Sequence, residues 1–264
     1  MLRSAIKKHY IGMNQEFRYR GEESTRVEAL SDAGFALAIG LLLISTSSPT
    51  NFEELLIFTK DLLPFAMCIA LIMLVWYEHF RFFIRYGFRS KYIVFLNGFL
   101  IFLLLFYVYP LKFLTKLLVN IYSGLLAPLF GLQTSVGREI KGMVSNQEMA
   151  QLMVIYGLGA AGIFFVLMLM YRYALKKKEE LELNEVEIFD TRVSVYGNAL
   201  MASIPLLSVV LVIIIPNPIV GSAISGFSYF LYWPVMTIFG KRSDKARKRL
   251  LDNPILVPDD TSNQ

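Results

Sequence analysis

The chain has 264 residues, of which 55% are apolar, and its mean hydropathy is +0.52. Soluble globular domains are typically about 45–50% apolar, so this composition indicates an integral membrane protein. The single cysteine, Cys68, excludes an intrachain disulfide and a metal site built on cysteines, and two histidines argue against a multi-histidine metal site. We therefore expect no metal and no other cofactor.

Six apolar segments are long enough to cross a bilayer, which takes about 20 helical residues. They cover residues 29–47, 62–84, 92–114, 150–174, 193–215 and 218–238. Pro49 closes the first segment, and Pro216-Asn217-Pro218 forces a tight hairpin between the last two. The sequence therefore predicts an all-α integral membrane protein with six transmembrane helices per subunit.

Basic residues fall mainly on one side of these spans. If the N-terminus is internal, the inner segments hold 21 of the 26 lysines and arginines. Cytoplasmic loops carry such an excess, so we expect both termini in the cytoplasm of a multi-pass protein of the inner (plasma) membrane. The net charge of +5 then reflects this bias and attraction to anionic lipid, and no nucleic-acid partner is expected.

This orientation divides the chain into three parts. Residues 1–25 form a cytoplasmic N-terminal segment without a signal-peptide core, residues 26–240 form the six-helix transmembrane domain, and residues 241–264 form a cytoplasmic tail. The charged residues 176–192 form either a cytoplasmic helix that extends the fourth span or a solvated surface helix or coil. Residues 115–148 extend the third helix, lie at the interface or re-enter the membrane.

The first span carries the clearest functional pattern. Leu37 lies three and four residues before Gly40 and Leu41, and Ile44 lies four and three residues after them, so all four share a helix face. One interpretation is ordinary packing, helped by small residues that let helices approach closely. The other is a pore lining in which large aliphatic side chains form a hydrophobic constriction.

Polar side chains cluster at the start of this span. Charges at the end of a membrane helix are costly unless paired or hydrated, so they tend to mark a gate, a helix lock or an ion path. In the second span, Trp76 and His79 are three residues apart and therefore share a helix face, at the same depth as the start of the first span. We expect a cytoplasmic-side network that consists of Arg26, Ser31, Asp32, Trp76 and His79. In the third span, Asn97 is placed to form a hydrogen bond between helices.

No catalytic arrangement is present in the sequence. There is no glycine-rich phosphate loop, no nucleophile elbow, and no pair of carboxylates or histidines with metal-ligand spacing inside a span. We therefore do not expect an enzyme.

The residues around the first span resemble a known family. Arg26, Leu30, Ser31 and Asp32 are similar to the Arg-x-x-x-Phe-Ser-Asp signature of the transmembrane protein 175 family, which comprises potassium-permeable channels of bacteria, archaea and animal lysosomes. The family's second-helix pattern is matched by Trp76 and His79, and its third-helix pattern by Asn97 with Pro110–Phe113. The resemblance covers roughly residues 26–115, with leucine at position 30 in place of the phenylalanine.

This resemblance implies six helices per subunit and a homotetramer around a pore lined by the first helix. It implies that Leu37 is the main constriction, while helical periodicity adds Leu41 and Ile44 as further layers. The Arg, Ser, Asp and second-helix His of the family hold helices together near the cytoplasmic side. Family members commonly carry a threonine where this chain has Gly40, so a pore-facing hydroxyl is missing and the lumen is wider.

Three functions follow as hypotheses. The first is a passive, potassium-leaning cation channel, with potassium or other monovalent cations, membrane lipid and further copies of the chain as partners. The second is a non-conducting membrane scaffold or partner-binding protein with the same fold. The third is a proton-coupled carrier that uses Asp32, Glu78 and His79.

Overall fold

The computed structural model describes residues 16–21, 24–44, 50–126 and 142–252, and these residues contain helices and no strand. The helices are α1 Arg26–Ile44, α2 Phe52–Lys60, α3 Leu62–Tyr86, α4 Lys91–Leu126, α5 Asn146–Lys176, α6 Glu185–Ile214, α7 Pro218–Ser228 and α8 Tyr232–Asp252. A 3-10 turn, Tyr229–Leu231, joins α7 to α8.

Six segments of the described chain are long and apolar enough to cross a membrane. They are α1, α3, α4, α5, α6, and the continuous stretch formed by α7 and α8. The prediction of an all-α protein with six spans is therefore confirmed. The short α2 leads into α3 after the end of the first span.

The helices pack in two groups. In one, α1 lies against α4 and α3, and Gly34 permits close approach because a Cβ there would lie 3.0 Å from the Ile101 side chain. In the other, α5 and α6 form an antiparallel pair with the most extensive contact, and α7 packs on both. Gly157 lies directly against Val209 and the carbonyl oxygen of Pro205 at that contact. Contact between α4 and α5 joins the two groups.

Residues 176–192 differ from both predicted forms. Helix α5 ends at Lys176, a turn follows over residues 177–182, and α6 already begins at Glu185. A capping box starts α6: the Asn184 side chain accepts from the Glu187 N–H, and the Glu187 carboxylate accepts from the Asn184 N–H. The second half of this charged stretch therefore belongs to the fifth span.

The third span is much longer than the apolar segment that predicted it. Helix α4 has 36 residues, which at about 1.5 Å per residue is close to 54 Å. The first part of residues 115–148 is therefore an extension of this helix as far as Leu126, and residues 127–141 lie outside the described chain. Lys116 Nζ lies 3.1 Å from Asp61 Oδ1, so the extension is tied to the start of α3.

The last span is not the single helix predicted over residues 218–238. Its helical path is interrupted at Tyr229–Leu231, and α8 then continues to Asp252, past the expected start of the tail at residue 241. The N-terminal segment and the end of α8 meet, because Arg247 Nη2 lies 2.9 Å from Glu16 Oε2. Both ends of the described chain therefore lie at the same end of the bundle.

Candidate functional site

Helix α1 has a buried face directed at its own chain. Every side chain on it is small, apolar or hydrogen-bonded, which suits close packing on α3 and α4. The buried residues are Ser31, Gly34, Phe35, Ala38 and Leu42. Their spacing of three, one, three and four residues follows the helical period, so α1 has one fixed rotation against its neighbours.

Another side of α1 carries large apolar side chains that no described residue covers. Leu30, Leu37 and Ile44 are 65%, 53% and 76% exposed, at intervals of two helical turns. Leu41 lies beside them but is half-buried and packs against the core. Gly40 is half-buried, and a Cβ at this position would meet nothing within 4 Å. Of the predicted stripe, Leu37 and Ile44 are thus exposed, while Gly40 and Leu41 lie half-buried at its edge.

A buried polar cluster holds the start of α1. The Asn97 Oδ1 atom of α4 lies 2.9 Å from Ser31 Oγ on α1 and 2.8 Å from His79 Nε2 on α3. All three residues are at most 1% exposed. One amide oxygen therefore accepts from two different helices, and the imidazole donates from Nε2. Three helices meet at this amide.

The other predicted network residues form a separate pair. Trp76 Nε1 donates to Asp32 Oδ1 at 2.9 Å, and the indole ring stacks on Phe80 with centroids 5.4 Å apart. Arg26 is exposed, and its side chain makes no hydrogen bond or ion pair with any other residue in the described ranges. The expected single network is therefore two contacts between α1 and its neighbours, with Asn97 as a central member and Arg26 in neither.

The residues before α1 form a contact that the sequence did not predict. Glu187 of α6 is fully buried, and its Oε2 lies 2.9 Å from Arg20 Nη2 and 3.3 Å from Arg18 Nη2. Its Oε1 also accepts from the Arg18 backbone N–H at 2.7 Å. Arg20 Nε reaches the Leu181 carbonyl in the α5–α6 turn at 2.8 Å. We call residues 17–21 the N-terminal clasp.

The clasp also caps the end of α3. Carbonyl groups in the last turn of a helix lack partners within the helix. The N–H groups of Arg20 and Gly21 donate to the carbonyl oxygens of Arg85 and Ile84, at 3.2 and 3.1 Å. Gly87 follows α3 in the left-handed conformation, with φ of 58°, which glycine adopts without strain. The chain just before α1 is thereby fixed to α3.

No group of three histidine, cysteine or acidic residues able to hold a metal ion occurs within residues 16–21, 24–44, 50–126 and 142–252. Cys68 is buried and its thiol contacts the Thr115 hydroxyl at 3.1 Å. The polar groups of the site hold helices together.

The fold and the site define a multi-pass, all-helical membrane protein whose first helix is anchored by a buried polar cluster. Residues 26–110 match the family described as the endosomal/lysosomal potassium channel TMEM175. A protein of Marivirga tractuosa named "Potassium channel" is 47% identical over 245 residues, which cover 92% of this chain and 97% of that protein. The chain belongs to the TMEM175 family.

A solved structure agrees with this assignment. The crystal structure of a variant of the potassium channel MtTMEM175, in complex with a nanobody–MBP fusion protein, has a TM-score of 0.78 and 47% sequence identity to this chain. The match covers 89% of this chain and 100% of that chain. The family resemblance of the first three spans therefore extends over nearly the whole fold.

Proposed function

We propose that the chain is a passive cation channel that conducts potassium, with four copies of α1 around a central pore. The observation that carries the proposal is the uncovered apolar stripe of α1, in which Leu37 and Ile44 are more than half exposed. Such a stripe faces either lipid or further copies of the chain. Relatives that are named potassium channels favour copies arranged around a pore.

In this assembly Leu37 forms the main constriction. A ring of four leucine side chains narrows the pore and excludes water, which is how hydrophobic gates operate. Leu41 and Ile44 form further layers, one and two turns along the helix. Conduction through such a pore is passive, so the protein needs no cofactor and is not an enzyme.

The buried polar cluster sets the rotation of α1. Leu37 lies about 120° around the helix from Ser31, because each residue advances about 100°. When Ser31 is bound to Asn97, the Leu37 side chain therefore points away from α3 and α4. The buried residues of the cluster do not line the proposed pore. Their role is to position the Leu37 constriction.

The distribution of charge supports one orientation of the assembly in the membrane. Most lysines and arginines lie in the segments at the end of the bundle that holds the N-terminal clasp and the end of α8. By the positive-inside rule this end faces the cytoplasm, with the protein in the inner membrane. The polar cluster at the start of α1 then lies on the cytoplasmic side of the Leu37 constriction.

Potassium flux into liposomes tests the pore assignment. Leu37→Asn places a polar amide in the constriction, so we expect a clear change in flux from the purified, reconstituted protein. Leu43→Asn is the matched control, since Leu43 is 57% exposed on the same helix but about 120° away from Leu37. Equal flux from wild type and Leu37→Asn would exclude Leu37 as the constriction. If the well-folded wild-type oligomer conducts no cation, the protein is a non-conducting scaffold instead.

A further inference from the structure

A cavity of about 450 Å³ lies between α3, α6 and α8. Its size falls within the range of about 300–1,000 Å³ typical of small-molecule sites. On α3 it is lined by Leu74, Glu78, Arg81 and Arg85, which share one helix face. Faces of α6 and α8 complete the wall. From Leu74 to Arg85 the cavity runs along about 16 Å of helix.

The two ends of the cavity differ in chemistry. One end is formed by Arg85, with Asp190 of α6 and Arg247 of α8 beside it. This end lies next to the N-terminal clasp, because Arg247 also binds Glu16. The other end lies deeper in the spans and is apolar. Its lining includes Leu74, Phe164, Met201, Met236 and Phe239.

Arg85 is the unusual member of this lining. It is 4% exposed, yet it has no carboxylate within ion-pair distance among the described residues. Its Nη1 donates to Ser194 Oγ at 3.0 Å, and its guanidinium carbon lies 4.8 Å from the Phe17 ring centroid. Its Nε is buried without a hydrogen-bond partner in the described chain. A buried charge without a counter-charge is costly, so an anion at Arg85 is strongly favoured.

The other charges of the cavity are balanced within the protein. Arg81 is paired with Glu78 at 2.6 Å, and Arg247 with Asp190 at 2.9 Å. Asp244 also contributes to the lining, but it is exposed, where water screens its charge. Arg85 is therefore the one guanidinium in the cavity wall that has no ion-pair partner among the described residues.

We propose that this cavity binds an anionic amphiphile, with its phosphate at Arg85 and an acyl chain along the apolar end. A free phosphate ion would use only the charged end. An apolar ligand would leave Arg85 without a counter-charge. A membrane phospholipid with an anionic headgroup satisfies both ends, and basic pockets between membrane helices recognise such headgroups.

Native mass spectrometry of the purified full-length oligomer tests this proposal. Dioleoylphosphatidylglycerol is the anionic probe, and dioleoylphosphatidylcholine is the zwitterionic probe with the same chains. We expect saturable binding of the first with clear preference over the second. Arg85→Gln should weaken it about tenfold, because a charge-assisted bond to the phosphate is lost. Arg172→Gln, which removes an exposed arginine at the same end of the bundle, should leave binding unchanged.

A second variant tests the apolar end without changing Arg85. Gly240 lines the cavity, and a Cβ at this position would meet nothing within 4 Å, so Gly240→Leu fills the cavity in a folded chain. We expect Gly240→Leu to weaken phosphatidylglycerol binding as well. If Arg85→Gln fails to fold, this variant alone tests whether the lipid binds in the cavity. Equal binding of the two lipids, or unchanged binding by the folded variants, would overturn the proposal. Displacement of the lipid by millimolar inorganic phosphate would also overturn it, since the site would then be one for the free ion.

Discussion

Gly21 and Ile84 are in backbone contact: the Gly21 N–H donates to the Ile84 carbonyl oxygen at 3.1 Å. The contact depends on the missing side chain. A Cβ on Gly21 would lie 2.3 Å from the Phe83 carbonyl oxygen and 2.9 Å from the Ile84 Cα. Both obstacles are backbone atoms of a helix end, which yield little. The N-terminal clasp therefore requires glycine at this position.

Gly21→Ala should weaken the clasp. The added methyl group displaces the segment from α3, at a cost of about 1–3 kcal/mol, which corresponds to a lower Tm by about 2–4 °C per kcal/mol. Thermal unfolding of the purified protein in detergent measures it. Gly98→Ala is the control, since an added Cβ there meets nothing within 4 Å. If both variants keep the wild-type Tm, the clasp contact does not contribute to stability.

The Asn97 amide should matter more than the hydroxyl it binds. Asn97→Ala leaves the His79 Nε2 and the Ser31 hydroxyl without their shared acceptor, so we expect a loss of about 1–3 kcal/mol. Ser31→Ala should cost less, because the Ser31 hydroxyl also lies 2.8 Å from the Val27 carbonyl within its own helix. Thermal unfolding of the two variants provides the comparison. The reverse order of stability would contradict the central position of Asn97.

Glu187→Gln should release the clasp, although glutamine has nearly the same size and shape as glutamate. The amide keeps an acceptor for the Arg18 N–H but loses the charge that binds two guanidinium groups. We expect trypsin to cleave after Arg18 and Arg20 about tenfold faster, because the open form is more populated.

Glu185→Gln is the matched control for that experiment. Glu185 lies in the same first turn of α6 but is exposed and makes no ion pair within the described part of the chain. Its cleavage rate should equal that of the wild type. Equal rates for Glu187→Gln and Glu185→Gln would show that the buried ion pairs do not hold the clasp closed.

Gly40→Thr should alter ion selectivity. The space beside Gly40 accepts a side chain, and a threonine there would give the proposed pore four hydroxyl groups. We expect a higher permeability ratio of potassium to sodium in liposomes or planar bilayers. Gly40→Ala is the control, since it also replaces glycine with a better helix former but adds no hydroxyl. If alanine and threonine shift the ratio equally, the hydroxyl is not the cause.

Local patterns in the sequence account for much of this fold. Apolar length predicts the spans, and helical spacing places residues 37, 41 and 44 together on α1. The end of the last span was not predictable in this way. Its apolar segment ends near residue 238, but lysine and arginine are good helix formers, and Arg247 is held by Asp190, so α8 continues to Asp252.

Contacts between distant parts of the chain leave no such pattern. The Asn184–Glu187 capping box joins residues three apart, yet nothing local indicates that the same carboxylate binds Arg18 and Arg20, more than 160 residues earlier. The Asn97 cluster lies between these cases. Ser31 and His79 are expected in one network and Asn97 in a bond between helices, since polar residues in membrane spans seek partners, but only packing determines that one amide serves two helices.

The polar cluster also has a mechanical consequence. Every hydrogen bond that a side chain of α1 makes to another described helix lies at or before Asp32, and from Ala33 to Ile44 the helix has only apolar side chains. Directional side-chain bonds thus fix one end of α1, while the described side chains at the other end pack through dispersion and shape. Sideways displacement of α1 should therefore cost less free energy with each helical turn beyond Asp32. Any sideways movement of α1 would therefore be greatest near Ile44.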